Sequence, residues 1–546
     1  MSNSTSFQVS GKIVDLRKGK IFPGIVTIED EKISSIQETD HVDDQYIIPG
    51  LIDAHVHVES SMLIPSEFAR LAVTHGTVAT VSDPHEIANV LGIDGIRYMI
   101  KNGRKVPFSF YFGASSCVPA TSFETAGATL GAKEIDELLS MDEIKYMSEM
   151  MNFPGVIYGD KEVMEKIAIA KKHNKPIDGH APGLKGEEAR KYIEAGITTD
   201  HECFTMEEAL DKIKYGMKIQ IREGSAAKNF EALVGLLETH PDMVLFCSDD
   251  KHPNDLAKGH INELVKRAIQ KGYDPMRVLR SAILNPIDHY KLDQGLLQVG
   301  DDADFILVDN LDDFNVLSTY IKGRKVATNG QCMIESVPES EPNAFHAEEI
   351  SIEDISVSSS PGQIKVMKVL DGQLITEELI VGPKLENGNV VSDVDRDVLK
   401  LVVLNRYEKA KPAMAFINNF NFKHGAIAST VAHDSHNIIA VGTSDDEIVR
   451  AINLLVEARG GISLVDGKDE HVLPLPVAGL MSARDGFEVA KAYDKMDHLA
   501  KGLGSKLGAP FMTLSFMALL VIPKLKLSDQ GLFDGEKFAF TPLFID

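Results

Sequence analysis

Eight short apolar segments alternate with amphipathic helical stretches across residues 49–295, and this predicts an α/β chain built round a (β/α)8 TIM-type barrel. Two further observations complete the architecture. β-rich texture on both sides of that stretch, residues 1–48 and 296–335, predicts one small β-domain made from both flanks, since the ends of a domain often lie close together. A polar stretch over 336–354 predicts a linker to a separate α+β C-terminal domain at 355–546. The runner-up, a doubly wound sheet, lacks a GxGxxG after the first strand.

Composition bounds the function. At 546 residues the chain exceeds one core. Its 44% hydrophobic and 25% charged residues describe an ordinary globular protein. The net charge of −25 argues against a nucleic-acid partner, which needs clustered Lys and Arg. Cys117, Cys203, Cys247 and Cys332 form no CxxC pair, so neither a disulfide framework nor a zinc ribbon is expected. The N-terminal MSNSTSFQVSGKIVDL has no apolar h-region. The apolar run Phe511 to Pro523 is shorter than the roughly 20 residues of a membrane span and reads as buried core. No membrane partner is expected, and a cytoplasmic location follows by elimination.

In chain order, FQVSGKIVDL, KGKIFPGIVTIEDEKISSIQ and QYIIP read as strands of the first flank. The barrel strands are GLIDAHVHV, GTVATVSD, FSFYFGAS, IKYMSEM, PIDGHA, ITTDHE, KIQIREG and MVLFCSD. Helical spacing marks SEFARLAVTH, AKEIDELLSM, DKEVMEKIAIAKKH, GEEARKYIEAG, TMEEALDKIKYG, NFEALVGLLETH and HINELVKRAIQKG. The second flank follows with DADFILV and VLSTYIKGRKVATNGQ, and the C-terminal domain with HNIIAVG and DDEIVRAINLLVEARGG.

The chemistry lies at the strand ends. His55 and His57 stand at i and i+2, so on an extended strand both imidazoles share one face. The ends of later strands add Asp83, His85, Glu86, Glu149, His180, His201, Asp249 and Asp250. In a parallel barrel these ends form the active-site face. Four histidines with two carboxylates make a nitrogen–oxygen donor set suited to Mn²⁺, Fe²⁺ or Zn²⁺. Two ions sharing a carboxylate would activate water for hydrolysis.

The blocks PGLIDAHVHVESSM, SDPHEIANV, SEMMNFPGV, DGHAPGL, DHE and CSDDKHP resemble the amidohydrolase superfamily. Together with KHGAIASTVAHDSHNIIAVG (423–442) they resemble, within it, the bacterial adenine deaminases over essentially the full length. The resemblance implies hydrolysis of adenine to hypoxanthine and ammonia at two divalent ions, Mn²⁺ or Fe²⁺ before Zn²⁺. It implies that His55, His57 and Asp249 hold one ion, that His180 and His201 hold the other, and that Glu149 bridges them. Asp249 would carry the proton, with His201 or Glu86 assisting. Mononuclear adenosine and cytosine deaminases carry a glutamate three residues after the fifth-strand histidine; here that position is Gly183, which favours two ions. The alternatives are a cyclic-amide or N-acetyl-sugar hydrolase of the same superfamily, and a non-catalytic scaffold.

Glu59, Ser60, Asp83 and His85 are candidates to meet the substrate, with helix capping as the plainer reading for the serines. His433, Asp434 and His436 read as a hydrogen-bonded cluster or as a loop over the barrel mouth. Met150 and Met151 read as packing. An exposed apolar face on the C-terminal domain would allow a homo-oligomer.

Overall fold

A computed structural model describes residues 6–545; the first five residues of the N-terminal stretch, and Asp546, lie outside the described residues. Strands β1 (Ser6–Asp15), β2 (Lys20–Glu29), β3 (Lys32–Glu38) and β4 (Tyr46–Pro49) come from the first flank. The central strands are β5 (Leu51–Val56), β6 (Thr77–Ser82), β7 (Ser109–Ala114), β8 (Ile144–Met150), β9 (Ile177–Gly179), β10 (Thr199–Asp200), β11 (Lys218–Arg222) and β12 (Val244–Cys247). The second flank supplies β13 (Phe305–Val308), β14 (Val316–Ile321), β15 (Arg324–Thr328) and β16 (Gln331–Cys332).

The two flanks meet in one eight-stranded sheet, ordered β16-β15-β14-β13-β4-β1-β2-β3. β4 is the junction, parallel to β1 and antiparallel to β13. Gly50 follows at once, and only glycine fits there, because a Cβ would come 2.3 Å from Val78.

The central strands are parallel and fall into two sheets, β5 to β9 and β10 to β12. Backbone bonds cross both gaps. Asp249 N–H donates to the His55 carbonyl (2.9 Å), His57 N–H to the Asp249 carbonyl (3.4 Å), and Thr198 N–H to the Ile177 carbonyl (2.8 Å). β5 is wholly buried, as a strand covered on both faces is. The helices between strands show one apolar stripe each; Ile261–Gln270, for example, buries Ile261, Leu264, Val265 and Ala268. NFEALVGLLETH is not one helix. It breaks into Phe230–Leu233 and Leu236–Thr239 at Gly235, the residue least able to hold helical backbone after proline.

Beyond a stretch without regular structure (335–351), the C-terminal chain forms a nine-stranded mixed sheet. The helix Asp445–Ala458 packs on it through Ile448, Ile452 and Leu455, with the Ser444 hydroxyl capping its N-terminus. The loop between strands Ala426–Ser429 and Ile438–Gly442 carries His433, Asp434 and His436. The described residues contain no helix long and apolar enough to cross a membrane.

Candidate metal centre

His55 and His57 lie at the end of β5, where its pairing with β6 slips register between Asp53 and Val56, a distortion common beside functional sites. Their rings stand 4.9 Å apart and nearly perpendicular. His57 Nδ1 faces the Asp83 carbonyl at 3.2 Å, which puts the proton on Nδ1 and leaves the Nε2 lone pair inward. His57 Nε2 is 3.3 Å from Asp249 and 3.6 Å from Glu149, and His55 Nε2 is 3.5 Å from Asp249 and 4.0 Å from Glu149.

Glu149 ends β8 and sits at the middle. Its carboxylate is 3.0 Å from His180 Nδ1 and 3.1 Å from His201 Nε2. Ligand-type atoms of His55, His57 and Asp249 lie within 4.8 Å of one another, as do those of His55, Glu149 and His201. Both ring nitrogens of His55 are buried without a hydrogen-bond partner, and such atoms carry a desolvation cost that a bound ion would remove. The donor set, imidazole nitrogen with carboxylate oxygen, fits first-row divalent ions.

Burial opposes ionisation of Glu149, but His180 and His201 hold its carboxyl well below the usual range. Burial likewise opposes Asp249, and Arg222 followed by His201 outweighs it. Burial disfavours charge on His201, yet Asp249 and Glu149 keep it well above an ordinary histidine. The carboxylates beside His201 favour a proton on its ring, and an ion binding there would compete with that proton.

Arg222 and Glu202 were not expected at the site. Arg222 is buried at the end of β11 and grips Glu202 with both terminal nitrogens (2.5 and 3.0 Å), while Nη1 also donates to Asp249. Glu202 in turn lies 3.5 Å from His180 and 3.4 Å from His201. The strand KIQIREG was visible, but an arginine at its end reads as an ordinary exposed terminus. Asp249 sits just past β12 with φ of +54°, so strand alternation fails there and both Asp249 and Asp250 line the pocket. Asp250 accepts from the Ser60 hydroxyl at 2.5 Å.

Of the four residues expected to meet the substrate, only His85 lines the pocket. Glu59 and Ser60 belong to a buried 3₁₀ turn, Val58–Ser61, and Ser60 touches Asp250 of the pocket lining. The Glu59 carboxylate accepts from Ile87 N–H (3.2 Å), and burial pushes it up to about 7. The serines do not cap this turn, whose N-cap is His57. Asp83 is fully buried and orients neighbours: its carbonyl meets His57, and its carboxylate lies 3.1 Å from His85 Nδ1.

The C-terminal domain closes the pocket. His433 Nδ1 lies 2.5 Å from Glu86 Oε1, and His436 Nε2 contacts Glu86 Oε2. Burial works against His433, but Glu86 and then Asp250 raise it to about 9. Asp434 lies 3.6 Å from His85 Nε2. Phe516 and Leu519, from the run read as plain core, also line the pocket, as do Leu374 and Met151.

The amidohydrolase family model matches residues 46–326, and the adenine deaminase C-terminal domain model matches 373–539. The adenine deaminase of Sulfurovum sp. (strain NBC37-1) is 58% identical over 534 residues, covering 98% of this chain and 99% of the relative. That of Salinibacter ruber is 53% identical over 543 residues, covering 99% of each. That of Methanosarcina mazei is 51% identical, covering 98% of this chain and 99% of the relative. An amidohydrolase domain joined to this C-terminal domain, and relatives matched over nearly the full length, place the chain in the adenine deaminase family of amidohydrolases.

Proposed function

We propose that this chain hydrolyses adenine to hypoxanthine and ammonia. The observation that carries the reading is Glu149. One buried carboxylate stands within 4.0 Å of nitrogens of His55, His57, His180 and His201, the arrangement that serves two ions. His55, His57 and Asp249 would hold the first ion, His180 and His201 the second, with Glu149 between them. Such ions supply Lewis acidity that makes water a nucleophile near neutral pH. The oxygen and nitrogen donors suit Mn²⁺, Fe²⁺ or Zn²⁺, and the family resemblance favours the first two.

The side chains do the rest. Asp249, held ionised by Arg222, receives the proton of the attacking water and passes it toward the amino group, which must leave as ammonia. Glu86 is fixed as a carboxylate between His433 and His436 at the pocket edge, within 3.3 Å of His85, where it can exchange a proton with the ring. His201 sits beside Glu149, ready to balance charge developing on the ring. The apolar side of the pocket excludes water.

This reading treats β5 to β12 as one closed eight-stranded barrel, supported by the bonds across both gaps. It divides the chain at 1–48 with 296–335, 49–295, a linker at 336–354, and 355–546. Four free cysteines favour a reducing, cytoplasmic setting. The test is ammonia release and hypoxanthine formation from adenine, run beside adenosine and cytosine. Turnover of adenine alone supports the reading, and inactivity on adenine with full metal refutes it.

A further inference from the structure

Lys526 lies in the strand Leu525–Ser528 and is fully buried. It makes no ion pair among the described residues. Its Nζ donates instead to two backbone carbonyls, Leu374 (2.6 Å) and Phe516 (2.8 Å). Both residues line the pocket beside the candidate metal ligands. They arrive on separate segments: Leu374 between the strands Gln363–Val369 and Thr376–Val381, Phe516 just after the helix Pro510–Ser515.

Stability alone does not account for this lysine. Burying an amine without a counter-charge is costly, and desolvation pushes it down to about 7. An apolar side chain of similar length would fill the space without that cost. What the amine adds is a join between the two segments at the pocket itself; farther out, the Asp371 carboxylate also ties them by accepting from the Gly508 N–H (3.0 Å). Thr376 ties the first segment to the Lys526 strand by bonding the Leu525 backbone, and the Ala227 N–H of the β11–β12 connection reaches the Gly372 carbonyl (3.1 Å). On the other side Phe516 stacks on His433 with centroids 5.0 Å apart, and His433 holds Glu86.

We propose that Lys526 is a positioning residue: it latches the two halves of the apolar roof together over the metal ligands and so sets the affinity for a flat, uncharged heterocycle. The proposal rests on the adenine reading for the identity of that heterocycle. Lys526 touches no reacting atom, so its removal acts foremost on binding.

The test compares wild type, Lys526→Met and Lys526→Gln as metal-loaded full-length protein. Losing two buried hydrogen bonds shifts an equilibrium by about 10- to 100-fold, so KM for adenine rises by about that factor in Lys526→Met. Loss of binding alone leaves kcat within about threefold of wild type. Metal content stays at the wild-type value. Lys526→Gln recovers part of the KM, since its amide can reach one carbonyl. In the free proteins, amide hydrogen exchange quickens over 371–376 and 515–522 in Lys526→Met. If that variant does not fold, Lys526→Gln carries both measurements, with smaller shifts in the same directions. A folded, metal-loaded variant with wild-type KM and exchange overturns the proposal, as does a loss confined to kcat. Should the wild type not act on adenine, the functional reading falls and exchange alone decides: quickened roof amides support the latch, unchanged ones overturn it.

Discussion

Arg222→Met removes the guanidinium that joins Glu202 to Asp249. All three side chains are almost completely shielded, with Arg222 and Glu202 each 1% exposed. The wild-type arginine bonds both Glu202 oxygens and one of Asp249. Breaking a buried pair from one side costs about 3–5 kcal/mol, because the remaining charges stay in a poor solvent. Here two carboxylates are stranded, so the metal-free variant should lose at least about 3 kcal/mol at neutral pH. The pH dependence has a definite sign. Burial opposes ionisation of Glu202, but Arg222 foremost holds it at about 2 against an ordinary 4.5. A depressed carboxyl stabilises the fold above its unfolded value and ceases to as pH falls through the folded one. The gap between wild type and variant should therefore be widest above 4.5 and narrow toward 2. Catalysis should suffer as well, because Asp249 loses the bond that aims it; a misplaced general base costs roughly 10²–10⁴-fold in kcat. Equilibrium denaturation of metal-free protein across pH, with kcat at saturating metal, measures both effects. Wild-type denaturation at neutral pH together with kcat within about tenfold of wild type would refute the assignment.

Four further substitutions probe the candidate ligands, with Asp250→Asn as a comparison. His55→Ala and His57→Ala should each lose metal and turnover together, read by elemental analysis beside the ammonia assay; full metal with full turnover would remove these residues from the site. Glu149→Gln should be severely impaired, since a neutral amide bridges two cations poorly, and near wild-type turnover would mean another group does the bridging. Asp249→Asn at saturating metal and adenine should lower kcat by at least about 10²-fold. Asp250→Asn, which gives up a contact to Ser60, should cost much less; the reverse order would exchange their roles.

The fold was legible where apolar runs and helical periodicity are strong: all eight central strands fall within the segments read from sequence, and β8 spans Ile144–Met150 as read. The broken helix at Gly235 was not, because an apolar periodicity on both sides masks a single glycine. At the site, residues that end strands were readable and residues that act from behind were not. Glu59 and Ser60 follow His57 in sequence, yet in the 3₁₀ turn their side chains are taken up by the Ile87 N–H and by Asp250. His433 meets Glu86 across 347 positions, a proximity no local spacing encodes. Arg222 and Glu202 escaped notice because an ion pair between neighbouring strands leaves no periodic trace in either.

Deamination of adenine at a two-ion centre must follow the metal content of the protein. The most direct measurement titrates Mn²⁺ into metal-free protein while following hypoxanthine formation per chain. The account predicts negligible turnover without metal, a rise with each addition, and a plateau at about two ions per chain. A plateau at one ion, or turnover indifferent to metal, would contradict it.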